Sequence, residues 1–357
     1  PRRIEQRTLE QGSRTIALVH VDAPTQVEIA DGTTVAPVAL LSLAGAVRRD
    51  DLLRDRGVSR VTVLDRGLER WSEAEAARRA LDRGASAIVL GSGRAGDADG
   101  RDADIDAIVG LGKRLASASS QAPLRIALVG DRLADAETAL RENAADLALR
   151  GEADQTLPRL LADWLDGRDR WDGFQGLTWG SEGRGIRHER DAAAPREHAA
   201  PAWDLVDLAR YAPDPRATGP RALRWLRRRA ARTATVVTSR ACAPGCTTCH
   251  QSFGASSRDR NVREVVAEIR DLVQRRGVRT LRIADHAFDG RPARAAEIAR
   301  AIAKFRSAPG LEGLTVTFPD GLRGDGLTPE LVEALVDAGV RRFPLRVGTS
   351  SPRLQRL

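Results

Sequence analysis

Three cysteines lie within one short segment of the chain and have the spacing C-x3-C-x2-C: Cys242, Cys246 and Cys249. They directly follow the strand-like run Thr235-Val236-Val237-Thr238, and the chain has no other cysteine. An odd, clustered set argues against a disulfide framework and for metal or redox chemistry. Three thiolates from one loop can bind three irons of a cubic [4Fe–4S] cluster and leave the fourth iron open for another ligand. We therefore predict an iron–sulfur site in this loop.

Three other interpretations of these cysteines stay open at this point. The segment Cys246-Thr247-Thr248-Cys249-His250 fits the C-x-x-C-H pattern of c-type haem attachment, but haem would leave Cys242 unused and would need an exported chain. A structural zinc site would use His250 as its fourth ligand, although its position directly after Cys249 makes tetrahedral coordination by both residues awkward. Inert core cysteines fit poorly with a polar loop that contains glycine and proline.

The composition of the chain limits the classes of function. The length of 357 residues predicts two domains, and no run of about 18 apolar residues is present that would span a membrane. The N-terminus carries no apolar stretch of the signal-peptide kind, which predicts a cytoplasmic chain. The net charge of +8 comes almost entirely from arginine interleaved with acidic residues, and aromatic residues make up only 4%. This pattern argues against nucleic acid as a partner, so we expect neither a membrane nor a nucleic acid.

Residues 15–167 alternate between strand-like and helix-like patterns. Five short apolar runs, separated by helical segments, occur at 15–21, 61–64, 86–90, 125–129 and 145–149. Buried strands joined by helices predict a five-stranded doubly wound parallel sheet, within a domain of residues 1–167. Ligands bind such sheets at the carboxyl ends of the strands, and small residues such as Ser92, Gly93 and Gly130 stand there.

The alternation stops at residue 168 and starts again at residue 233. Glycine, proline and arginine are frequent in residues 168–232, which predicts a connector with a small hairpin or short helices. Four further strand-like runs then alternate with helical patterns, at 235–238, 280–283, 314–318 and 343–347. About four βα units indicate a barrel or a second parallel sheet, and the cysteine loop follows its first strand.

The cysteine loop and the segments around it resemble those of cobalamin-dependent radical S-adenosylmethionine (SAM) proteins. The hallmark is the C-x3-C-x2-C loop after the first barrel strand, and the resemblance covers essentially the whole chain. In chain order, the similar segments are Arg150-Gly151-Glu152 with Thr156-Leu157, Pro201-Ala202-Trp203-Asp204-Leu205, Thr238-Ser239-Arg240, His250, Ser252-Phe253-Gly254, Asp285-His286-Ala287-Phe288, Phe318 to Asp325, and Ser351-Pro352-Arg353-Leu354-Gln355.

The resemblance implies an α/β fold in two parts. Residues 1–167 would form an N-terminal, five-stranded doubly wound parallel sheet of the cobalamin-binding type, followed by the connector of residues 168–232. Residues 233–357 would form a partial (β/α) radical SAM barrel. That barrel normally has six βα units and this sequence supplies about four, so we expect its N-terminal part here.

The resemblance also implies which residues bind the cofactors. Cys242, Cys246 and Cys249 would ligate the [4Fe–4S] cluster. Contacts to SAM are expected from Phe253, Gly254, Asp285, His286, Arg323 and Ser350. Contacts to cobalamin are expected from Thr33, Thr34, Ser92, Gly93, Gly130, Asp131 and Glu152. No D-x-H-x-x-G segment supplies a lower axial histidine to cobalt, so we expect His20, at the end of the first strand, to be a packed residue.

The implied activity is radical chemistry on a small-molecule substrate. In this family SAM chelates the open iron through its amino and carboxylate groups. One electron, from a donor such as flavodoxin or ferredoxin, then cleaves the carbon–sulfur bond. The resulting 5′-deoxyadenosyl radical abstracts hydrogen from an unactivated carbon, to which cobalamin often delivers a methyl group. C-methylation is the leading expectation. The alternatives are cyclisation or rearrangement with the same cofactors, or a cobalamin-binding module without catalysis.

Overall fold

The computed structural model of this chain describes residues 13–21, 35–91, 105–118, 124–130, 133–169, 171, 173–181, 185–188, 199–211, 232–241, 258–347, 351 and 353. Within these ranges the chain forms two sheets of mainly parallel strands, with helices packed on both. Among the described helices, none combines the length and the apolar character that crossing a membrane requires.

Five parallel strands form the centre of the first sheet. They are β1 (Arg14–His20), β2 (Val58–Asp65), β3 (Ala85–Gly91), β4 (Arg125–Gly130) and β5 (Leu147–Arg150), in the spatial order β2-β1-β3-β4-β5. The helices between and after them are α1 (Val38–Arg49), α2 (Asp51–Asp55), α3 (Arg66–Glu69), α4 (Glu73–Asp82), α5 (Ile105–Ala118), α6 (Leu133–Arg141) and α7 (Thr156–Leu165).

Helices cover both faces of these strands. Ile16 and Leu18 of β1 share a core with residues of α1 and α7, whereas Ala17 and Val19 share another core with residues of α4 and α5. A strand buried on both faces must be apolar along its length, which explains the continuous apolar runs in the sequence.

The sheet continues beyond the five predicted strands. β6 (Leu177–Ser181) pairs antiparallel with β5, and β7 (Gly185–His188) pairs antiparallel with β6. Leu177 and Trp179 are buried in the same core as α7. The prediction of a five-stranded sheet is therefore two strands short, because a hairpin from the predicted connector covers the edge that β5 would otherwise expose.

The strands of the second sheet precede and follow the cysteine loop in the sequence. Its parallel strands are β8 (Arg232–Val236), β11 (Val278–Ile283) and β12 (Thr315–Thr317), with β11 in the middle. A short antiparallel ribbon of β9 (Ser239–Arg240) and β10 (Arg258–Asp259) follows β8. The helices α8 (Val262–Arg270), α9 (Pro292–Arg306) and α10 (Pro329–Asp337) share one apolar core with these strands.

The fourth predicted strand of this sheet, residues 343–347, is not formed as a strand. Isolated parallel bridges join Val316 to Val340 and Leu322 to Leu345. Pro344 has no N–H to donate to a ladder, and Leu345 and Val347 are exposed. The described part of the second sheet thus has three strands where the sequence predicts four.

The connector packs against both halves of the chain. Its two 3₁₀ turns, Trp203–Leu205 and Leu208–Arg210, place Trp203 and Tyr211 in the core of the second sheet, together with Leu41 of α1. Trp203 Nε1 donates a hydrogen bond of 2.8 Å to the Glu268 carboxylate on α8. Apolar packing therefore joins α1, which covers the first sheet, to the second sheet.

Candidate functional site

The two ends of the cysteine loop meet at the carboxyl end of β8. In the ribbon of β9 and β10, Arg240 pairs with Arg258 and Ser239 pairs with Asp259. We call these four residues the loop stem. Ala241 has a φ of 57°, and a non-glycine residue adopts this left-handed conformation at a cost of about 1–2 kcal/mol. The backbone therefore turns sharply at the residue before the first cysteine.

Several predicted site residues lie outside the described residues. They are the cluster ligands Cys242, Cys246 and Cys249, the SAM contacts Phe253, Gly254 and Ser350, and the cobalamin contacts Thr33, Thr34, Ser92, Gly93 and Asp131. In the ranges that are described, no group of three His, Cys, Asp or Glu side chains is arranged to hold a metal ion. The metal prediction therefore rests on the cysteines and on the stem that positions them.

Asp285, two residues after the end of β11, accepts hydrogen bonds from the chain at the start of the loop stem. Its carboxylate is 2% exposed and accepts hydrogen bonds from the Thr238 backbone N–H at 2.6 Å and from the Ser239 hydroxyl at 2.8 Å. The Thr238 hydroxyl donates to the same carboxylate. Burial raises the pKa of Asp285, and these hydrogen bonds oppose that shift. Its contact with SAM stays a prediction, because the observed partners of both oxygens belong to the chain just before the cysteines.

Arg294, on α9, donates hydrogen bonds to the same segment. One of its guanidinium nitrogens donates to the backbone carbonyls of Thr238 and Arg260, each at 2.8 Å. These carbonyls lie on the two chain segments that enter and leave the cysteine loop. Asp285 and Arg294 together satisfy buried polar groups on both sides of the loop stem.

The stem also contacts the first domain through buried ion pairs. Arg240 donates to both oxygens of Asp154, at 2.6 and 3.2 Å, and Arg258 donates to Glu152. The side chains of Glu152 and Asp154 are only 4% exposed. Glu152, predicted as a cobalamin contact, thus lies in the structure between the carboxyl end of β5 and the loop stem.

A second group of polar side chains lies where the ends of β11 and β12 meet the segment after α10. Arg346 donates to the backbone carbonyls of His286, at 3.1 Å, and of Asp320. Buried atoms Nδ1 of His286 and Nη2 of Arg346 have no hydrogen-bond partner within the described structure. Because an unpaired buried polar atom is costly, both atoms mark a place where a ligand group would be favourable.

His286 is electrically neutral in this environment. Burial, and then the nearby positive charge of Arg346, lower the pKa of His286 from 6.5 to about 4. The imidazole can therefore donate or accept a hydrogen bond at neutral pH without adding charge. This matches its predicted place beside a cofactor, and that contact stays a prediction.

Arg323, the third described SAM candidate, lines a cavity of about 320 Å³ beside the loop stem. The buried carboxylate of Asp289 accepts from the backbone N–H groups of Arg323, at 3.1 Å, and Gly324, at 2.8 Å. Ser239 and Asp259 of the stem line the same cavity. The structure thus brings Arg323 to the cavity next to the stem, although its side chain also pairs with Asp325.

Gly130 ends β4 at the carboxyl edge of the first sheet. Among the described residues, a Cβ atom built at this glycine would meet nothing within 4 Å. The neighbouring loop is held close, since the Gly151 N–H donates to the Gly130 carbonyl at 3.2 Å. Gly130 therefore stands where a ligand at this edge could approach the backbone.

His20, at the end of β1, is fully buried and packed, as its place in the sequence predicts. Its Nδ1 lies 3.1 Å from Asp65 Oδ1, and the Tyr211 hydroxyl donates to Asp65 Oδ2 at 2.9 Å. Burial raises the pKa of Asp65, but His20 and the hydrogen bonds outweigh burial and hold that pKa below its ordinary value. The network joins the ends of β1 and β2 to the connector.

The residues of this region that the sequence does not predict include Asp154, Arg258, Asp289 and Arg346. Asp154 lies two residues after Glu152, and Asp289 directly follows the Asp285-to-Phe288 segment, so a search for acids near strand ends would have found them. The two arginines carry no such signal, because arginine occurs throughout this chain. Their importance depends on contacts with residues far away in the sequence.

Stability should depend on the protonation of His286. Its pKa of about 4 in the folded chain lies below the ordinary 6.5, so the unfolded chain binds the proton more readily. The free energy of unfolding should therefore fall as pH drops below 6.5, by about 1 kcal/mol near pH 5.5 and by about 3 kcal/mol near pH 4. The measurement is urea unfolding of the wild type and of His286→Gln across this range. Parallel curves for the two proteins would contradict the assignment.

Both halves of the chain have counterparts among known proteins. Residues 236–357 match the family model of the Radical SAM superfamily. No protein of curated function matches the sequence. The structure is similar to the radical SAM methyltransferase TsrM from Kitasatospora setae, solved with tryptophan substrate and a SAM analogue, with 19% identity and a TM-score of 0.68 over 96% of this chain. A second TsrM structure holds cobalamin and a [4Fe–4S] cluster and gives a TM-score of 0.65 at 19% identity, covering 92% of this chain and 58% of that one.

A further similar structure is the cobalamin-dependent SAM radical enzyme OxsB, solved with aqua-cobalamin and SAM, with 16% identity and a TM-score of 0.67 over 97% of this chain. The chain spans 60% of the length of TsrM in its first structure and 45% of the length of OxsB. At these identities the likeness establishes the fold. The resemblance predicted from the sequence is confirmed: residues 236–357 are a radical SAM domain, and the chain has the fold of cobalamin-dependent radical SAM enzymes.

Proposed function

We propose that this chain is a radical SAM enzyme that uses a [4Fe–4S] cluster and cobalamin to methylate an unactivated carbon of a small-molecule substrate. The observation that carries the proposal is the position of the loop stem. Arg240, two residues before Cys242, binds Asp154 at the carboxyl edge of the first sheet. The cysteine loop thus begins beside the edge at which a doubly wound sheet binds its ligand.

Cys242, Cys246 and Cys249 would hold the cluster and leave one iron open, and all three lie within the radical SAM domain. When bound, the cluster would supply the electron that cleaves SAM, and cobalamin would supply the methyl group that is transferred. A flavodoxin or ferredoxin is the proposed electron donor. The described residues do the positioning: Asp285 and Arg294 fix the start of the cysteine loop through buried hydrogen bonds.

His286 and Arg346 are the residues that we expect to recognise SAM. Each has a buried nitrogen without a protein partner in the described structure. A guanidinium binds carboxylate groups well, so Arg346 suits the carboxylate of SAM. The neutral imidazole of His286 suits an uncharged polar group beside it. These two unpaired nitrogens support a site for a polar ligand.

Cobalamin would lie at the carboxyl edge of the first sheet, near Gly130, without a protein histidine on cobalt. His20 ends β1 at this edge, and its Nδ1 is committed to Asp65 in a fully buried site. The TsrM and OxsB structures that hold cobalamin share this fold, and that likeness supports the proposed location.

Reconstitution tests the function directly. The chain should be loaded anaerobically with iron, sulfide and hydroxocobalamin, and then given methyl-labelled SAM and reduced flavodoxin. We expect stoichiometric cobalamin, release of 5′-deoxyadenosine, and label on cobalamin. An assembled cluster with intact SAM would favour the alternative of a cobalamin-binding module without catalysis. Cleavage of SAM without any bound cobalamin would remove methyl transfer from the proposal.

A further inference from the structure

Four charged side chains lie together between the first sheet and the loop stem: Glu152, Asp154, Arg240 and Arg258. We call them the interdomain ion-pair cluster. Arg240 binds both oxygens of Asp154 and lies 3.8 Å from Glu152, which in turn accepts from Arg258. Two positive and two negative charges balance, and the two arginine side chains are only 21% and 16% exposed.

Stability alone does not explain such a cluster. Removing charges from water costs free energy that the ion pairs only partly return, so apolar residues of similar size would serve a simple interface as well. What ion pairs add is direction, because a guanidinium that binds both oxygens of a carboxylate fixes distance and angle. The cluster therefore specifies one arrangement of the two domains.

The position of the cluster links the stem of the cysteine loop to the loop that follows β5. Arg240 and Arg258 are cross-strand partners in the stem, so both ends of the cysteine loop are tied to the first domain. Glu152 and Asp154 belong to the single loop between β5 and α7. In the same loop, the Gly151 N–H donates a hydrogen bond to the carbonyl of Gly130 at the end of β4. One short loop thus touches both the ligand edge of the first sheet and the stem of the cysteine loop.

We infer that the interdomain ion-pair cluster is a positioning device that sets the distance between the cysteine loop and the ligand edge of the first sheet. This inference rests on the proposed function, and it gives Glu152 a role in orientation in addition to its predicted contact with cobalamin. Asp154, Arg240 and Arg258 become positioning residues for the same reaction. Attachment at two points restrains both translation and rotation of the stem.

The first arm of the test needs no cofactor. Hydrogen exchange of the stem amides should be measured in the apo chain for the wild type, Asp154→Asn and Arg240→Lys. Loss of a buried pair should speed exchange at residues 239–241 and 258–259 by at least about tenfold. The matched control is Arg210→Lys, which breaks another two-nitrogen contact, that of Arg210 with Glu69, away from the stem. Its stem exchange should equal that of the wild type.

The second arm measures position, which loss of stability alone would not change in a folded protein. Pulsed electron paramagnetic resonance should give one narrow distance between the reduced cluster and cob(II)alamin in the wild type and in Arg210→Lys. The distribution should be broader or shifted in Arg240→Lys and Asp154→Asn, and Asp154→Glu should restore it in part. Wild-type exchange and distance in both variants would overturn the inference. If the wild type binds no cobalamin, the proposed function fails. Hydrogen exchange of the stem amides then tests the inference by itself: faster exchange in the variants supports a positioning role for the cluster, and unchanged exchange contradicts it.

Discussion

Replacement of any one of Cys242, Cys246 and Cys249 by alanine is expected to abolish the iron–sulfur cluster. The three thiolates are the only cysteine ligands that the loop offers, and the chain has no fourth cysteine to replace a missing one. Two thiolates cannot hold three irons of a cube. Iron and sulfide content, visible absorption and electron paramagnetic resonance after anaerobic reconstitution should all fall to background. The loss should be complete in each single variant.

The matched control is Thr247→Ala, because Thr247 lies between two of the cysteines and offers no thiolate. It should keep wild-type iron and sulfide. Each of the other interpretations of the loop predicts a different result. Stoichiometric zinc without iron uptake would support a zinc site, covalently attached haem that survives Cys242→Ala would support the haem interpretation, and uptake of no metal would support inert cysteines.

The sequence predicts the central strands of the first sheet, because their burial is visible in the local pattern of apolar residues. The central strands β1, β3 and β4 are buried on both faces, so each is a continuous apolar run that can be recognised without a partner. The hairpin of β6 and β7 is short, and its place in the sheet depends on the edge that β5 leaves free. Pairing of that kind depends on tertiary contacts, which explains why the sequence predicts a connector with a small hairpin or short helices there and not two further strands of the sheet.

The site shows the same division. The residue types and the segments of the stem are visible in the sequence, since Thr238, Ser239 and Arg240 precede the cysteines and Asp285 ends a strand. The sequence does not predict which residues the stem side chains contact. Arg258 meets Glu152 across 106 positions of the chain, and Arg240 meets Asp154 across 86. Only the fold brings such distant charges together. Because arginine is frequent throughout this chain, the sequence alone does not distinguish Arg240 and Arg258 as the arginines that form these ion pairs.

Asp285→Ala is expected to destabilise the chain by about 2–3 kcal/mol, because a buried donor loses its acceptor, and to prevent cluster assembly. The carboxylate is the acceptor for the Thr238 backbone N–H and for two hydroxyl groups, in a site where Thr238 is fully buried. The hydroxyls can rotate to other partners, but the N–H cannot, so a buried donor stays unsatisfied. The nearby Arg294 also loses the negative charge that favours its ionised form. The stem would then no longer hold the cysteines in place.

Two control variants test whether the loss comes from the hydrogen bonds that Asp285 accepts or from any substitution near this cavity. Asp285→Asn keeps an oxygen for the Thr238 N–H, and its amide can donate to the Thr238 and Ser239 hydroxyls, so it should cost only about 1 kcal/mol and keep the cluster. Asp325→Ala removes a carboxylate that is 62% exposed near the same cavity, and it should change stability by less than about 0.5 kcal/mol. Urea unfolding and iron content measure all three. If Asp285→Ala unfolds within about 1 kcal/mol of the wild type and takes up the same iron, the stem is held by other contacts, and Asp285 is free for the cofactor contact that the sequence predicts.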